Sequence, residues 1–499
     1  MKTAFDERIG TALADSRLQA ALEHLAFRFM TARNQAAADL PNWEELRTQA
    51  HAIKRHTIEN LSTYLLQLEA RVRERGGTVF WAEDAAQACS YVVELARARG
   101  VKLAVKSKSM VTEEIELNHA LERAGIEAVE TDLGEYIIQL AGEKPSHIVV
   151  PAVHKTRGQV ADLFEKKLGL PHTEDVAKLT ATARAVLRQK FLAAGMGITG
   201  ANFAIAESGS IVLMENEGNI RFSSSAPKIH VAVVGIEKVI PRMADLAVFL
   251  RLLARSATGQ KLGSYVSILS GARRPGEPDG PQEFHLVLLD NGRTRMLADP
   301  VAQPEGYASA AAGTVLSAGT AQPEGYATLR RETLYCIRCG ACLNVCPVYR
   351  KIGGHAYPWV YSGPIGAILT PQMLGFAIEP KLPFASSLCG ACRDVCPVKI
   401  PIPEMLLLLR SLETESMPGG RWLERTGFRL WAWAMRQPWL YRLGSRAARF
   451  IPARLLAAAG PLACWRKTRE LPVFPEESFR DWWRKRRAPP AGMATGRRP

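Results

Sequence analysis

The chain has 499 residues and is 47% hydrophobic, enough apolar material for several packed cores and too much for a disordered or fibrous protein. Its net charge of +15 is uneven: from Arg421 onward 18 basic residues face 5 acidic ones, so nearly all of the excess lies in the C-terminal tail and no nucleic-acid partner is expected. Lys2, Asp6, Glu7 and Arg8 leave no apolar export signal in the first ten residues, and the densest apolar run, 405–409, is far too short to cross a bilayer, so a cytoplasmic location is expected.

Residues 1–75 read as a helical region, with Leu61, Leu65 and Leu68 at helical spacing. From Gly77 the period changes. Short apolar runs at 78–81, 101–105, 126–130 and 147–150 alternate with helical stretches reaching Ala98, Ala124 and Ala141, the mark of βαβ units and a mostly parallel sheet. After a long helical stretch at 176–194, strands follow in succession at 202–206, 210–214 and 229–234, the first two joined by a tight Glu207-Ser208-Gly209 corner. A helix near 243–253 and strands at 265–269 and 284–289 complete an α/β domain over 76–296. Residues 297–328 read as a linker, in which AQPEGYA at 302–308 recurs at 321–327; one short repeat is not a solenoid, and a duplicated, looped-out insertion accounts for it.

The next region, 329–415, carries the chemistry. Cys336-x2-Cys339-x2-Cys342-x3-Cys346-Pro347 and Cys389-x2-Cys392-x3-Cys396-Pro397 hold seven of the nine cysteines. The first block has bacterial ferredoxin spacing, in which three close thiolates wrap one cluster and the fourth, on a Cys-Pro turn, reaches across to another. Zinc prefers two Cys-x2-Cys pairs on a longer finger, and structural disulfides belong to small exported domains, so iron–sulfur is the reading. By the crossover rule Cys336, Cys339, Cys342 and Cys396 hold cluster 1, while Cys346, Cys389 and Cys392 hold cluster 2. Cluster 2 lacks a fourth cysteine, because Ser386 stands where the repeat would place one. The centre is then a second 4Fe-4S cluster with a non-cysteine ligand, a 3Fe-4S cluster, or one bound by the Ser386 hydroxyl; Ser386 as a plain turn residue is the simpler reading. About 42 residues, with five prolines beyond the Cys346-Pro347 turn, separate Cys346 from Cys389, too many for a compact hairpin ferredoxin, so a helical ferredoxin-like module is expected.

Other motifs are weaker. Gly195-Met196-Gly197-Ile198-Thr199-Gly200 matches G-x-G-x-x-G, but it follows a helix and precedes a strand, the reverse of a dinucleotide loop, and reads as a glycine turn. Lys106-Ser107-Lys108-Ser109 ends a strand and opens a helix, where it could hold an anion or simply provide Ser109 as a cap. His147, His154 and His230 read as structural, and Cys89 and Cys464 as inert thiols outside cluster spacing. No nucleophile–base pair emerges, and catalytic residues stay unassigned. The tail, 416–499, holds seven of the ten tryptophans. In it Arg421, Arg425, Arg429 and Arg436 share a helical face opposite Leu423, Leu430 and Ala434 until Pro438 interrupts, which fits peripheral contact with an anionic membrane or packing on a partner subunit.

The stretches 107–115 (SKSMVTEEI), 130–135 (ETDLGE), 197–210 (GITGANFAIAESGS) and 215–219 (ENEGN) resemble the lactate-utilisation (LUD) domain. The Cys336 block, with 353–358 (GGHAYP) and 361–366 (YSGPIG) behind it, resembles the iron–sulfur subunits of the bacterial L-lactate utilisation system. The resemblance implies an α/β LUD domain like that of sugar-phosphate isomerases and CoA transferases, then an α-helical ferredoxin-like domain and a helical, basic tail. It implies a non-flavin complex that oxidises L-lactate to pyruvate, with a cysteine-rich redox subunit and a second LUD protein as partners. It also implies the same cysteine partition and a missing fourth ligand as a family feature. A related subunit for glycolate or glycerol-3-phosphate oxidation, and a redox-sensing binding protein, are the competing readings.

Overall fold

The computed structural model describes residues 4–297, 326–416, 422–450, 475 and 477–487. The linker repeat, apart from residues 326 and 327, and Cys464 lie outside them. Two units separate, Met1–Ser416 and Met417–Pro499.

Four helices open the first unit: α1 (Ala4–Ala14), α2 (Ser16–Ala38), α3 (Trp43–Glu59) and α4 (Leu61–Glu74). The Asp15 carboxylate starts α2 by accepting from the Arg17 and Leu18 amides, and Leu18, Leu22, Ala26 and Phe29 then bury one face. In α4 the expected Leu61, Leu65 and Leu68 are all buried, with Val72 continuing the stripe.

Among the described residues ten strands follow: β1 (Thr78–Ala82), β2 (Leu103–Lys106), β3 (Glu127–Glu130), β4 (Met196–Thr199), β5 (Phe203–Ile205), β6 (Ser210–Glu215), β7 (Ile229–Gly235), β8 (Val239–Ile240), β9 (Tyr265–Leu269) and β10 (Glu283–Leu289). Six of them form an all-parallel sheet in the order β1-β10-β7-β4-β2-β3. Every residue of β4 and β7 is buried, as a parallel sheet covered on both faces requires. The other four make a smaller sheet, β8-β5-β6-β9, in which the β5–β6 hairpin turns on Gly209, whose φ of +68° suits glycine. From β2 the chain steps outward to β3 and then returns to the opposite side of β2 as β4, so the winding reverses between β2 and β4.

Three expectations need correction. Gly195–Gly200 is no turn, because 196–199 is strand β4. Gly197 is there for packing: a Cβ on it would lie 1.6 Å from the Ser223 carbonyl oxygen of the helix Asn219–Ser225. Residues 147–150 form no strand; Pro145 and Pro151 remove ladder donors on both sides, and the His147 ring accepts the Val149 and Val150 amides at 3.0 and 3.2 Å. The single helix expected before Ala124 is two short ones, Met110–Glu114 and Leu117–Arg123, broken at Glu116 with φ +53°.

The cysteine region is helical, with Ala341–Val345, Tyr349–Ile352, Gly363–Leu374, Ala391–Val395 and Ile402–Ser416. It has no core of its own. One continuous apolar cluster runs from Phe5 and Leu22 through Phe203, Val234 and Phe249 to Leu343, Ile368 and Leu406. In the second unit, Trp422–Arg436 and Pro438–Phe450 are consecutive helices, so Pro438 begins a helix where its missing N–H costs nothing. Phe428, Leu430, Trp431 and Trp433 are exposed along the first of them. None of the described helices is long and apolar enough to cross a membrane.

His230, in the middle of β7, is buried and bonds Thr199 Oγ1 through Nε2 at 2.9 Å. Burial, with His285 nearby, drops its imidazole to about 3. The unfolded chain binds that proton near pH 6.5 and the folded one does not until about 3, so His230 costs stability as pH falls through this window. Replacing His230 by Gln keeps the bond and removes the proton. Between pH 6 and 4 the wild type should lose about 1.4 kcal/mol per pH unit more than the variant. Thermal melts across that range check this, and equal slopes would contradict it.

Candidate iron–sulfur centre and adjoining cavity

The two cysteine blocks are one local structure used twice. In each, the residue before the second cysteine position takes left-handed backbone, Arg338 at φ +60° and Leu388 at φ +55°, and a left-handed glycine follows the cysteine, Gly340 at +77° and Gly390 at +85°. A five-residue helix then leads to an extended cysteine and a proline, Cys346-Pro347 and Cys396-Pro397. Left-handed non-glycine residues are costly, and backbone bent this way turns successive N–H groups inward, the concavity that Fe–S sites use. The amides of Arg338, Tyr349 and Ile400 donate to the sulfurs of Cys336, Cys346 and Cys396, each at 3.4 Å. At the position matching Cys336, Ser386 Oγ accepts the Leu388 amide at 3.1 Å, the same bond with oxygen in place of sulfur.

The thiols gather in two sets. Cys336, Cys339, Cys342 and Cys396 line one apolar cavity with Ile148, Ile365 and Val398. Burial first, and then the charges of Cys396 and Cys336, push the Cys339 thiol up to about 12. Cys392 is likewise pushed up to about 12 by burial and then by Cys346 and Cys389. Cys342, raised by burial above all, feels the charge of Cys392 as well as those of its own set, so the sets are neighbours. Left to themselves these thiols would keep their protons. Iron would displace them, and the amide donors would stabilise the resulting thiolates, so the donor chemistry fits an iron–sulfur cluster. Cys89 is different: burial raises it to about 11, its Sγ donates to the Ile115 carbonyl at 3.3 Å, and it stands apart as an inert thiol.

The N-terminal helices hold the second block in place. Arg47, on α3, donates to the Cys396 carbonyl from Nε at 3.0 Å and from Nη2 at 2.8 Å, and to the Asp394 carbonyl at 2.8 Å. His51 Nδ1 lies 2.9 Å from the Val398 carbonyl oxygen.

Beneath Cys336 and Cys339 sits a buried ionic network. Arg293 makes a two-pronged bond to Glu114 at 2.9 and 2.8 Å and reaches Glu237 through Nε at 2.5 Å. The Tyr361 hydroxyl donates to Glu114 at 2.5 Å, and the Arg338 guanidinium lies 4.3 Å over the Tyr361 ring while approaching Glu237 at 3.4 Å. Lys54 donates to the Glu237 carbonyl oxygen. Burial would raise Glu237, but Arg293, Arg338 and Lys238 outweigh it and hold the carboxyl at about 2. Burial, then Arg338, pulls the nearby Lys238 ammonium down to about 8. Arg293, Arg338 and Lys238 against the Glu114 and Glu237 carboxylates leave positive charge facing Cys336, which suits an anionic cluster, whereas burial pulls the Lys54 ammonium down to about 7. Glu114 and Tyr361 lie in the stretches 107–115 and 361–366 that carry the family resemblance, whereas Arg293, Glu237, Lys238 and Lys54 carry no local sequence signal.

Above Cys339 opens a second cavity, about 300 Å³, between the loop that follows β2 and the loop that follows β4. The Lys106–Ser109 segment meets it in part. Lys106 is spent on a buried ion pair with Glu130 at 2.7 Å, and Ser109 caps the helix Met110–Glu114, whereas Ser107, Lys108 and Ser109 line the cavity. His147 and His154 lie in the loop 145–156 and not in this cavity, and His230 is in the sheet.

Residues 65–289 match the LUD domain, 332–400 the 4Fe-4S dicluster domain, and 416–488 the family described as lactate utilisation protein B, C-terminal. A protein named lactate utilization protein B from Bacillus cytotoxicus is 43% identical over 487 residues, 96% of this chain and 97% of its own. Its namesake from Bacillus thuringiensis is 42% identical over 489 residues, 96% of each chain. A crystal structure of a DUF162 family protein from Deinococcus radiodurans, 13% identical, covers 46% of this chain and 98% of its own with a TM-score of 0.25.

Proposed function

The chain belongs to the lactate utilization protein B family, and from that premise we propose that it is the iron–sulfur subunit of a complex that oxidises L-lactate to pyruvate and so supports growth on lactate. What carries the reading is the pair of thiol sets, each bent around inward-facing amides, in a chain related over its full length to lactate-utilisation proteins. The residues that would hold cluster 1 are Cys336, Cys339, Cys342 and Cys396, and those for cluster 2 are Cys346, Cys389 and Cys392. Bound clusters supply one-electron steps, which fits a two-electron oxidation served by a pair of neighbours. The chain's own part is to enclose these sulfurs, all but that of the exposed Cys389, to donate amides to those of Cys336, Cys346 and Cys396, and to set positive charge beneath cluster 1.

For cluster 2, the Leu388 amide on Ser386 Oγ supports serine as the fourth ligand of a 4Fe-4S centre, because it sets that oxygen where the first block sets a sulfur. The reading extends to two partner subunits, one cysteine-rich and one a second LUD protein, and to the cytoplasm. Trp431, Trp433, Trp439 and the arginines among them support peripheral attachment of the C-terminal unit to an anionic lipid surface.

Iron and sulfide counts on anaerobically reconstituted protein test the centres: about eight irons per chain are expected, and about seven would mean a 3Fe-4S centre at Ser386. A deletion strain should fail on L-lactate and grow on glycolate and glycerol-3-phosphate. Normal growth on L-lactate would remove the proposal.

A further inference from the structure

We propose that the cavity between the loops after β2 and β4 binds a small 2-hydroxy or 2-oxo carboxylate in this chain itself, with Lys238 and Arg338 on its anionic end beside Cys339. The 2-hydroxy or 2-oxo group rests on the lactate reading above, whereas the carboxylate is argued from the residues alone.

Position is the first argument. In open α/β sheets, ligands bind beyond the carboxyl ends of the strands where the winding reverses, and that point here is the gap between β2 and β4. The cavity's volume of about 300 Å³ is at the small end of ligand sites.

Unmet charge is the second. Lys238 is 6% exposed, lines the cavity and makes no hydrogen bond or ion pair among the described residues. Arg338 Nη1 is buried without a partner, while its Nη2 is turned to Glu237. A buried ammonium, and beside it a guanidinium with one buried nitrogen unpartnered, are costly unless an anion meets them. Asp132, Glu215 and Glu217 also line the cavity, which disfavours a doubly charged phosphate and leaves a single carboxylate as the better fit. Met110 and Leu253 offer an apolar wall for a short alkyl group.

Continuity with the cysteines is the third. Ile148, Arg338 and Cys339 line both this cavity and the one bounded by Cys336, Cys342 and Cys396. A molecule held here would lie against a cluster ligand with no intervening layer of protein.

Calorimetric titration of the iron-loaded full chain with L-lactate, pyruvate and inorganic phosphate tests this. One saturable site for L-lactate and pyruvate, and none for phosphate, is expected. Lys238→Met should weaken that binding roughly 10- to 100-fold, the worth of one charge-assisted hydrogen bond. Ala257→Leu, which fills the cavity from the helix Met243–Thr258 without altering charge, should weaken it as well, with the cluster absorbance unchanged in both. No saturable lactate or pyruvate binding, equal binding of phosphate, or wild-type affinity in both variants would overturn the site. Lactate-driven cluster reduction by the assembled complex, with a chain that binds no lactate, would sink this cavity and leave the electron-carrier reading standing. A chain that binds lactate but takes up no iron would do the reverse.

Discussion

Replacing Cys396 by alanine should abolish the cluster built on the first cysteine block and spare the one built on the second, although Cys396 lies 50 residues beyond Cys346. Cys396 lines the cavity shared with Cys336, Cys339 and Cys342, its sulfur accepts the Ile400 amide, and its carbonyl is clamped by Arg47. Cys346→Ala should do the converse, since its charge is felt by Cys392 and that of Cys389 is felt by it. Each variant should keep about four of about eight irons. By electron paramagnetic resonance, Cys396→Ala should resemble Cys336→Ala, and Cys346→Ala should resemble Cys389→Ala. Pairing of phenotypes by sequence block instead would show that each block closes on itself and that the crossover is wrong. Because two neighbouring centres are needed to take both electrons, either loss should stop lactate-dependent electron transfer, while binding at Lys238 should survive Cys346→Ala.

The cysteine spacing alone proposed a division of the thiols into two sets, because ligand geometry is local and repeats, and the fold brings Cys336, Cys339, Cys342 and Cys396 to one cavity. The change from helical to alternating period likewise marked where the parallel sheet begins, since burial on both faces leaves short apolar runs such as 229–234. Strand β4 escaped because it is four residues long and holds Gly197, which a strand tolerates only where another backbone comes close; that backbone, at Ser223, is 26 positions away. The false strand at 147–150 shows the opposite error, an apolar run whose flanking prolines outweigh its side chains. What stayed invisible was the support of the site. Arg47 reads as an ordinary helix residue, and nothing near Glu237 in the chain announces Arg293 or Arg338; those contacts span 56 and 101 positions. The buried charges became legible only when the fold brought them together.

Arg293→Met should be among the most damaging single substitutions in the chain. Arg293 is 1% exposed and bonds two buried carboxylates, Glu114 through both terminal nitrogens and Glu237 through Nε. Methionine nearly fills the space but leaves both carboxylates in apolar surroundings. Glu237 keeps Arg338 at 3.4 Å, but Glu114 is left with only the neutral Tyr361 hydroxyl and Asn291 amide, neither of which replaces the charge. Breaking a buried pair in this way costs about 3–5 kcal/mol, out of a total of about 5–15 kcal/mol for a folded unit. A melting temperature lower by about 3–6 °C is therefore expected for the iron-free chain, since a unit of this size unfolds with a large entropy. Adding Glu114→Gln to Arg293→Met should recover part of the loss, because the carboxylate left without a cation is then removed, whereas in the wild-type background Glu114→Gln should itself destabilise by weakening a satisfied bond. If Arg293→Met melts within a degree or so of the wild type, water has replaced the guanidinium, and the network is not the rigid floor beneath Cys336 and Cys339. A floor that does soften should be seen first in the cavity above it, as weaker L-lactate binding at temperatures where the clusters remain intact, because Tyr361 and Arg338 belong to both.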